Sequence, residues 1–209
     1  MTIMLKYEII DEKPVILNGK TLHQIRALRD FMSVKSGDLG GWIEAGKNLS
    51  QTGHAWVSGD AQVYGKAQVY GNAQVYGDAQ VHGDAQVSGN AWVYGNAWVY
   101  GNAQVHGNAQ VSGDAQVYGA ARVIQSNFIT IEPIGSRNAT LFIGHDAKNQ
   151  LVAITGCFYG TLADFEHRVN MQHGENRHGV NYRAVIAMAR IVFSQPCPTT
   201  AMPAYVTQD

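Results

Sequence analysis

From Ala55 onward a six-residue unit repeats without a break, AWVSGD, AQVYGK, AQVYGN and so on to ARVI. Every sixth residue from Val57 to Val123 is Val, twelve in all, and each is preceded two residues earlier by Ala. Two small apolar positions around one outward position describe a very short strand with a single buried face. Gly followed by a polar residue then supplies the permissive backbone that a sharp corner needs. Gly at the same sixfold interval excludes a helix. A unit this small cannot bury its face alone, so the units must stack.

The pattern resembles the hexapeptide-repeat superfamily, in which an aliphatic residue is followed four positions later by a small one, here Val57/Ala61, Val63/Ala67 and onward. The resemblance covers residues 55–124 and implies a mainly β chain: a left-handed parallel β-helix, a triangular solenoid with three hexapeptides per coil. The family places Gly directly after the aliphatic residue, whereas here it comes one place later. With three units per coil, residues 18 apart stack at about 4.8 Å. One face then presents Trp56, Gln74, Trp92 and Gln110 beside Ser58, Tyr76, Tyr94 and Ser112. The second presents Gln62, Gln80, Trp98 and Gln116 beside Tyr64, His82, Tyr100 and Tyr118. The third presents Gln68, Gln86, Gln104 and Arg122 beside Tyr70, Ser88, His106 and Ile124. At the corners the same register predicts an amide ladder of Asn72, Asn90 and Asn108, sets Lys66 over Asp84, and stacks Asp60 on Asp78, a mildly unfavourable like-charge pair.

The flanks divide the chain. Residues 1–42 are expected to cap the first coil, because a solenoid end exposes strand edges and an apolar cross-section. The form of that cap is open: Leu22, Ile25 and Leu28 suit a helix, and the neighbouring KYEII and PVIL runs suit strands. Ile43 and Leu49, six apart, read as a first degenerate rung, so the β-helix is expected over 43–124. Residues 125–195 read as a small α+β domain. Its three strands are NFITIEPI, ATLFIG and QLVAITGCF. Two helices follow. The first is capped by Thr161 with Asp164, buries Leu162, Phe165 and Val169, and stops at Gly174. The second, NYRAVIAMARIVF, buries Tyr182, Val185, Ile186 and Ala189. Residues 196–209, with three prolines, are expected to be an extended tail. The combination of ALRDF, DLGGWIE, NLS and GNAxVYG repeats with this C-terminal unit is similar to a group of phage and prophage proteins.

Charge narrows the function. A formal net charge of -1 argues against a polybasic nucleic-acid binder, and residues 53–124 hold only Asp60, Asp78, Asp84, Asp114, Lys66 and Arg122. The two cysteines, Cys157 and Cys197, cannot build a disulfide framework, no zinc spacing is present, and the acidic start lacks the apolar core of a secretory signal. No apolar run reaches the roughly 18 to 20 residues of a spanning helix. A cytoplasmic protein is expected, in the host cytoplasm if phage-encoded, with no metal and no membrane.

A surface so poor in charge and so rich in rings asks for a partner. The expected interface is Trp56, Tyr76, Trp92, Tyr94, Trp98, Tyr100 and Tyr118, and resemblance to the superfamily implies a homotrimer. A second candidate site is the Gly135-Ser136-Arg137-Asn138 loop, with His173 or Arg183 recruited around a small phosphate-bearing ligand. Cys157 reads as a small buried hydrophobe rather than a nucleophile. The leading expectation is a non-catalytic phage-type binding protein without a cofactor, engaging a host protein or small ligand and counteracting host defence. The alternative carried by the superfamily is an acyl- or acetyltransferase using acyl-coenzyme A, with His82 or His106 as general base. Neither histidine has a carboxylate orienter visible in sequence, and the register places them on different faces.

Overall fold

The computed structural model describes residues 5–124, 128–146 and 148–194. The expected tail 196–209, with Cys197, lies outside them. The repeat winds into a three-faced solenoid whose rungs pair in parallel 18 residues apart. On one face Val57 lies beside Val75, Val75 beside Val93 and Val93 beside Val111. On the second, Val63, Val81, Val99 and Val117 follow each other in the same way. On the third, Val69 pairs with Val87, Val87 with Val105 and Val105 with Val123. The inward Ala and Val of every rung are at most 1% exposed. At each corner the Gly has φ near +70°, and in the middle coils an added Cβ would meet the backbone of the next corner at about 3 Å. Gly is therefore required twice over, for its conformation and for the close approach of stacked coils. The displaced Gly thus makes a left-handed first turn residue, the geometry of a type II′ turn.

The N-terminal cap is made of strands. β1 (Tyr7–Leu17) and β2 (Lys20–Ala27) form an antiparallel hairpin, and β3 (Leu39–Ile43) pairs antiparallel with β2. β3 then turns its other edge to the solenoid, with Ile43 parallel to Val63, and Leu49 bridges Val69. These are the degenerate rungs read from the sequence, and they extend the stack to nearly five coils. Leu22 and Ile25, which helical spacing put on one face, lie in a strand paired on both edges and are both buried; Ile25 belongs to the solenoid core and Leu22 does not. Leu28 is largely exposed. Lys6 is fully buried beneath the cap, donating from Nζ to the Ala55 carbonyl at 2.7 Å and lying 5.6 Å from the Phe31 ring. Burial, reinforced by the nearby Arg29 charge, pushes its pKa down to about 8.

At the far end the sheet runs on into the C-terminal unit. The last rung, β4 (Ala121–Ile124), has β5 (Ala139–Asp146) antiparallel on its free edge. β6 (Phe128–Ile134) and β7 (Leu151–Thr155) flank β5, and β8 (Phe158–Thr161) pairs with β7. The unit thus has four strands where three were expected: Gly156-Cys157 is a hairpin turn rather than a strand end, which frees Phe158–Thr161 to run back along β7. Phe142 and Ile154 join the solenoid core, so the C-terminal unit plugs the last coil. α1 (Leu162–His173) has the expected reciprocal cap, with the Asp164 amide donating to Thr161 Oγ1 at 3.1 Å and the Thr161 amide to Asp164 Oδ2 at 3.2 Å. α2 (Arg177–Ser194) starts earlier than NYRAVIAMARIVF suggests, because Asn176 Oδ1 accepts from the amides of His178 and Gly179. Neither helix is long and apolar enough to cross a membrane.

Candidate functional site

The aromatic residues expected at one interface divide into three groups. Trp56 is only 3% exposed: Phe31 meets it edge-on at 5.3 Å and Tyr7 at 6.4 Å, so the cap removes it from any outer surface. Tyr118 is also committed, since its hydroxyl donates at 2.8 Å to the carbonyls of Gly156 and Phe158 and ties the ring ladder to the C-terminal unit. Trp92 and Trp98 are left, 44% and 41% exposed, on either side of the corner formed by Tyr94, Gly95 and Asn96. Tyr76 stacks on Tyr94 at 5.0 Å and meets Trp92 edge-on at 6.2 Å. On the adjoining face Tyr64, His82, Tyr100 and Tyr118 stack at 4.9, 5.1 and 5.0 Å. The result is an aromatic ridge over two faces of the prism, with the tryptophans flanking one corner and the Tyr64–Tyr118 ladder running through four coils of the second face. The corner ladders also form as the register predicted: Asn72 donates to Asn90 at 3.0 Å and Asn90 to Asn108 at 3.1 Å, while Lys66 lies 3.5 Å from Asp84.

Both candidate bases are engaged by neighbouring side chains. His82 is held between two tyrosine rings with Trp98 at its edge, and burial lowers its pKa. His106 Nε2 accepts from Arg122 Nε at 2.9 Å, and burial together with the Arg122 charge lowers its pKa. The two stand on different faces, and among the described residues no carboxylate is hydrogen-bonded to either ring. Among the described residues no group of three His, Cys, Asp or Glu could hold a metal ion.

The loop candidates behave differently. Ser136, Arg137 and His173 converge on one cavity of about 130 Å³ between the β6–β5 turn, the β7–β8 turn and the two helices. Asn138, at φ +47°, completes the turn but lines a neighbouring hollow. Arg183 is a correction to the sequence reading: its guanidinium bonds the Gly174 carbonyl at 2.7 Å and pairs with Glu175 at 2.8 Å, which locks the turn between the helices. Arg168 takes its place, one helical turn before Gln172 on α1 and 5.9 Å from the Phe158 ring. Tyr182 forms the floor; burial raises its pKa, partly offset by a hydrogen bond with Thr155 and by the Arg137 charge. A Cβ on Gly135 would collide with the Tyr182 hydroxyl, so Gly lets the loop press onto that floor. Cys157 was expected to be buried and is exposed, because it occupies the β7–β8 turn at the cavity mouth. Arg168 could have been suspected from the helical spacing that puts it, with Phe165 and Gln172, along one side of α1.

A family model described as YdcK Beta solenoid repeat matches residues 67–83, 85–101 and 91–107. These segments are the middle rungs, so the match and the coiled architecture agree that the chain is a solenoid repeat protein, and the match does not extend to the cap or the C-terminal unit. No curated protein matches the chain.

Proposed function

We propose that this chain is a non-catalytic binding protein of phage type, a hexapeptide-repeat rod whose aromatic ridge packs against further copies of itself to form a homotrimer. The observation that carries the reading is the pair of half-exposed tryptophans, Trp92 and Trp98, flanking one corner with no charge between them. Large rings exposed side by side on a rigid support favour association, because little side-chain entropy remains to be lost when they are covered. At each end an antiparallel strand covers one face of the rod, β2 on β3 and β5 on the last rung, which disfavours growth end to end and favours assembly through the faces. Assembly would present several C-terminal units together to a host protein in the host cytoplasm, and the phage resemblance makes host defence the setting. The acyltransferase reading is weakened by the stacked His82 and the bonded His106.

The test is the mass in solution by light scattering and sedimentation velocity. The wild-type chain is expected at three times 22.7 kDa, and the Trp92→Ser, Trp98→Ser double variant at the single-chain mass with an unchanged circular dichroism spectrum. A single-chain mass for the wild type overturns the self-association. Stabilisation by acetyl-coenzyme A that His82→Ala or His106→Ala removes would restore the enzyme reading.

A further inference from the structure

We propose that the cavity of the C-terminal unit is a binding site for a small phosphomonoester, its dianion held between Arg137 and Arg168 and its apolar body laid along Phe158 and Met171. The inference is independent of the aromatic ridge, which lies on the solenoid.

Counter-ions supply the first part of the argument. On α2, Arg183 is paired with Glu175 and Arg190 with Glu166. Arg137 and Arg168, the two arginines of the cavity, have no carboxylate within ion-pair distance among the described residues, and no residue lining the cavity is acidic. Two guanidiniums and the His173 imidazole thus face one space without a negative partner, a charge pattern that a dianion complements. Ser136 stands in the same wall and its hydroxyl can donate to a remaining anion oxygen, as can the one hydrogen left over from the Thr155–Tyr182 hydroxyl pair.

Size and continuity supply the second part. A cavity of about 130 Å³ has room for a phosphate group. Across Arg168 and Phe158 the cavity adjoins a broader hollow that also includes His167, Met171 and Asp164. Met171 is 76% exposed there, an apolar shelf for the rest of the molecule. The Asp164 carboxylate, bonded to Thr161 in the helix cap, lines this hollow and not the cavity, so its charge stands beside the apolar body of the ligand rather than beside the phosphate. Two singly charged guanidiniums converging on one site favour a phosphate dianion over a carboxylate monoanion.

Phenyl phosphate, inorganic phosphate and benzoate are the probes, titrated into the full-length protein by calorimetry at low salt. Phenyl phosphate is expected to bind saturably, inorganic phosphate more weakly, and benzoate at least about tenfold more weakly than phenyl phosphate. Arg137→Gln and Arg168→Gln, both at exposed positions, should each weaken phenyl phosphate about tenfold or more while leaving the melting temperature of the free protein unchanged. The Trp92→Ser, Trp98→Ser variant should bind it as the wild type does, which separates this site from the assembly. Alkylation of Cys157, followed by peptide mass, should slow when phenyl phosphate is present. No saturable binding of either phosphate up to about 10 mM overturns the proposal, as does binding indifferent to both arginines or benzoate bound as tightly as phenyl phosphate.

Discussion

In the middle of the rod, from Val75 to Val105, the inward residues pack within their own coil and against the coils directly above and below, whereas the C-terminal core joins Ile134 and Leu141 to Phe165, Tyr182 and Ile186 across four strands and two helices. The first arrangement spends one small side chain per position and repeats a single solution; the second uses large, dissimilar side chains that each meet a different neighbour. The difference teaches where function can be placed. A rod whose inside is only Ala and Val has no room for a cavity, so any binding must use its outer faces. The C-terminal unit, with irregular packing and two turns facing its helices, leaves a cavity open.

Putting the same substitution into each region gives the largest expected contrast. At Gly89, φ is +69° and a Cβ would stand 2.8 Å from the Gly107 backbone nitrogen. Gly89→Ala should therefore cost at least about 3 kcal/mol in urea unfolding, combining a left-handed alanine with a clash against backbone that cannot move without shifting a coil. At Gly156, φ is +54° and nothing lies within 4 Å of the added atom, so Gly156→Ala should cost about 1 kcal/mol, the conformational part alone. Equal costs at the two sites would mean that coil stacking does not tighten the corners.

The stacked rings make the solenoid sensitive to pH at both ends of the range. His82 has its pKa lowered by burial between Tyr64 and Tyr100. As pH falls through 6.5, the unfolded chain takes up a proton that the folded one resists, so stability present at neutral pH is lost on acidification. Burial raises the pKa of Tyr100 and, with the Tyr100 charge as a further cause, that of Tyr118. Above pH 10 the unfolded phenols ionise first, and stability falls as pH climbs toward the folded values. Melting temperatures at pH 7.5, 5.5 and 10.5 should show both losses. His82→Tyr, which restores the commoner repeat residue, should shrink the acid loss and leave the alkaline one; an unchanged acid loss would place that sensitivity elsewhere.

The same contrast sets how much could be read in advance. The period of six fixed which residues point inward, the 18-residue register and the Asn72–Asn90–Asn108 ladder, because each depends only on neighbours at constant spacing. Trp56 and Trp92 occupy equivalent places in the repeat, yet the first is buried by Phe31 and Tyr7, residues brought from the cap by long-range pairing that no local pattern encodes. Leu22 and Ile25 have the spacing of a helix face and lie in a strand paired on both edges. In the C-terminal unit the capping box and the buried stripe of α2 were legible, being local. Which arginine faces the cavity was not: Arg183 is held by the Gly174 carbonyl and Glu175, partners that only the turn between the helices brings within reach. Cys157 is exposed because the chain turns at Gly156, and TGCFYG read equally well as the end of a strand.

A smaller effect separates local from distributed stability. Thr161→Ala removes the acceptor for the Asp164 amide and should destabilise the C-terminal unit by about 1 kcal/mol. Hydrogen exchange should register the change as faster exchange at the start of α1, with the amides of the middle rungs unchanged, since their partners lie in adjacent coils. Faster exchange throughout the rod would show that the C-terminal plug, through Phe142 and Ile154, governs the opening of the whole stack.

The smallest effect is expected at the corner ladder. Asn90 accepts from Asn72 at 3.0 Å and donates to Asn108 at 3.1 Å, but all three side chains are exposed to water that can replace those bonds. Asn90→Ala should therefore cost no more than about 0.5 to 1 kcal/mol, the net worth of exposed neutral hydrogen bonds. The Asn90 amide itself still donates to the Gly107 carbonyl at 2.7 Å, so the corner keeps its backbone closure. Read beside Gly89→Ala, one residue earlier in the same turn, this pair asks whether the corner is held by its outer side chains or by its backbone. A loss from Asn90→Ala as large as that from Gly89→Ala would assign the rod's rigidity to the amide ladder and reverse the account of the corners given by the glycine geometry.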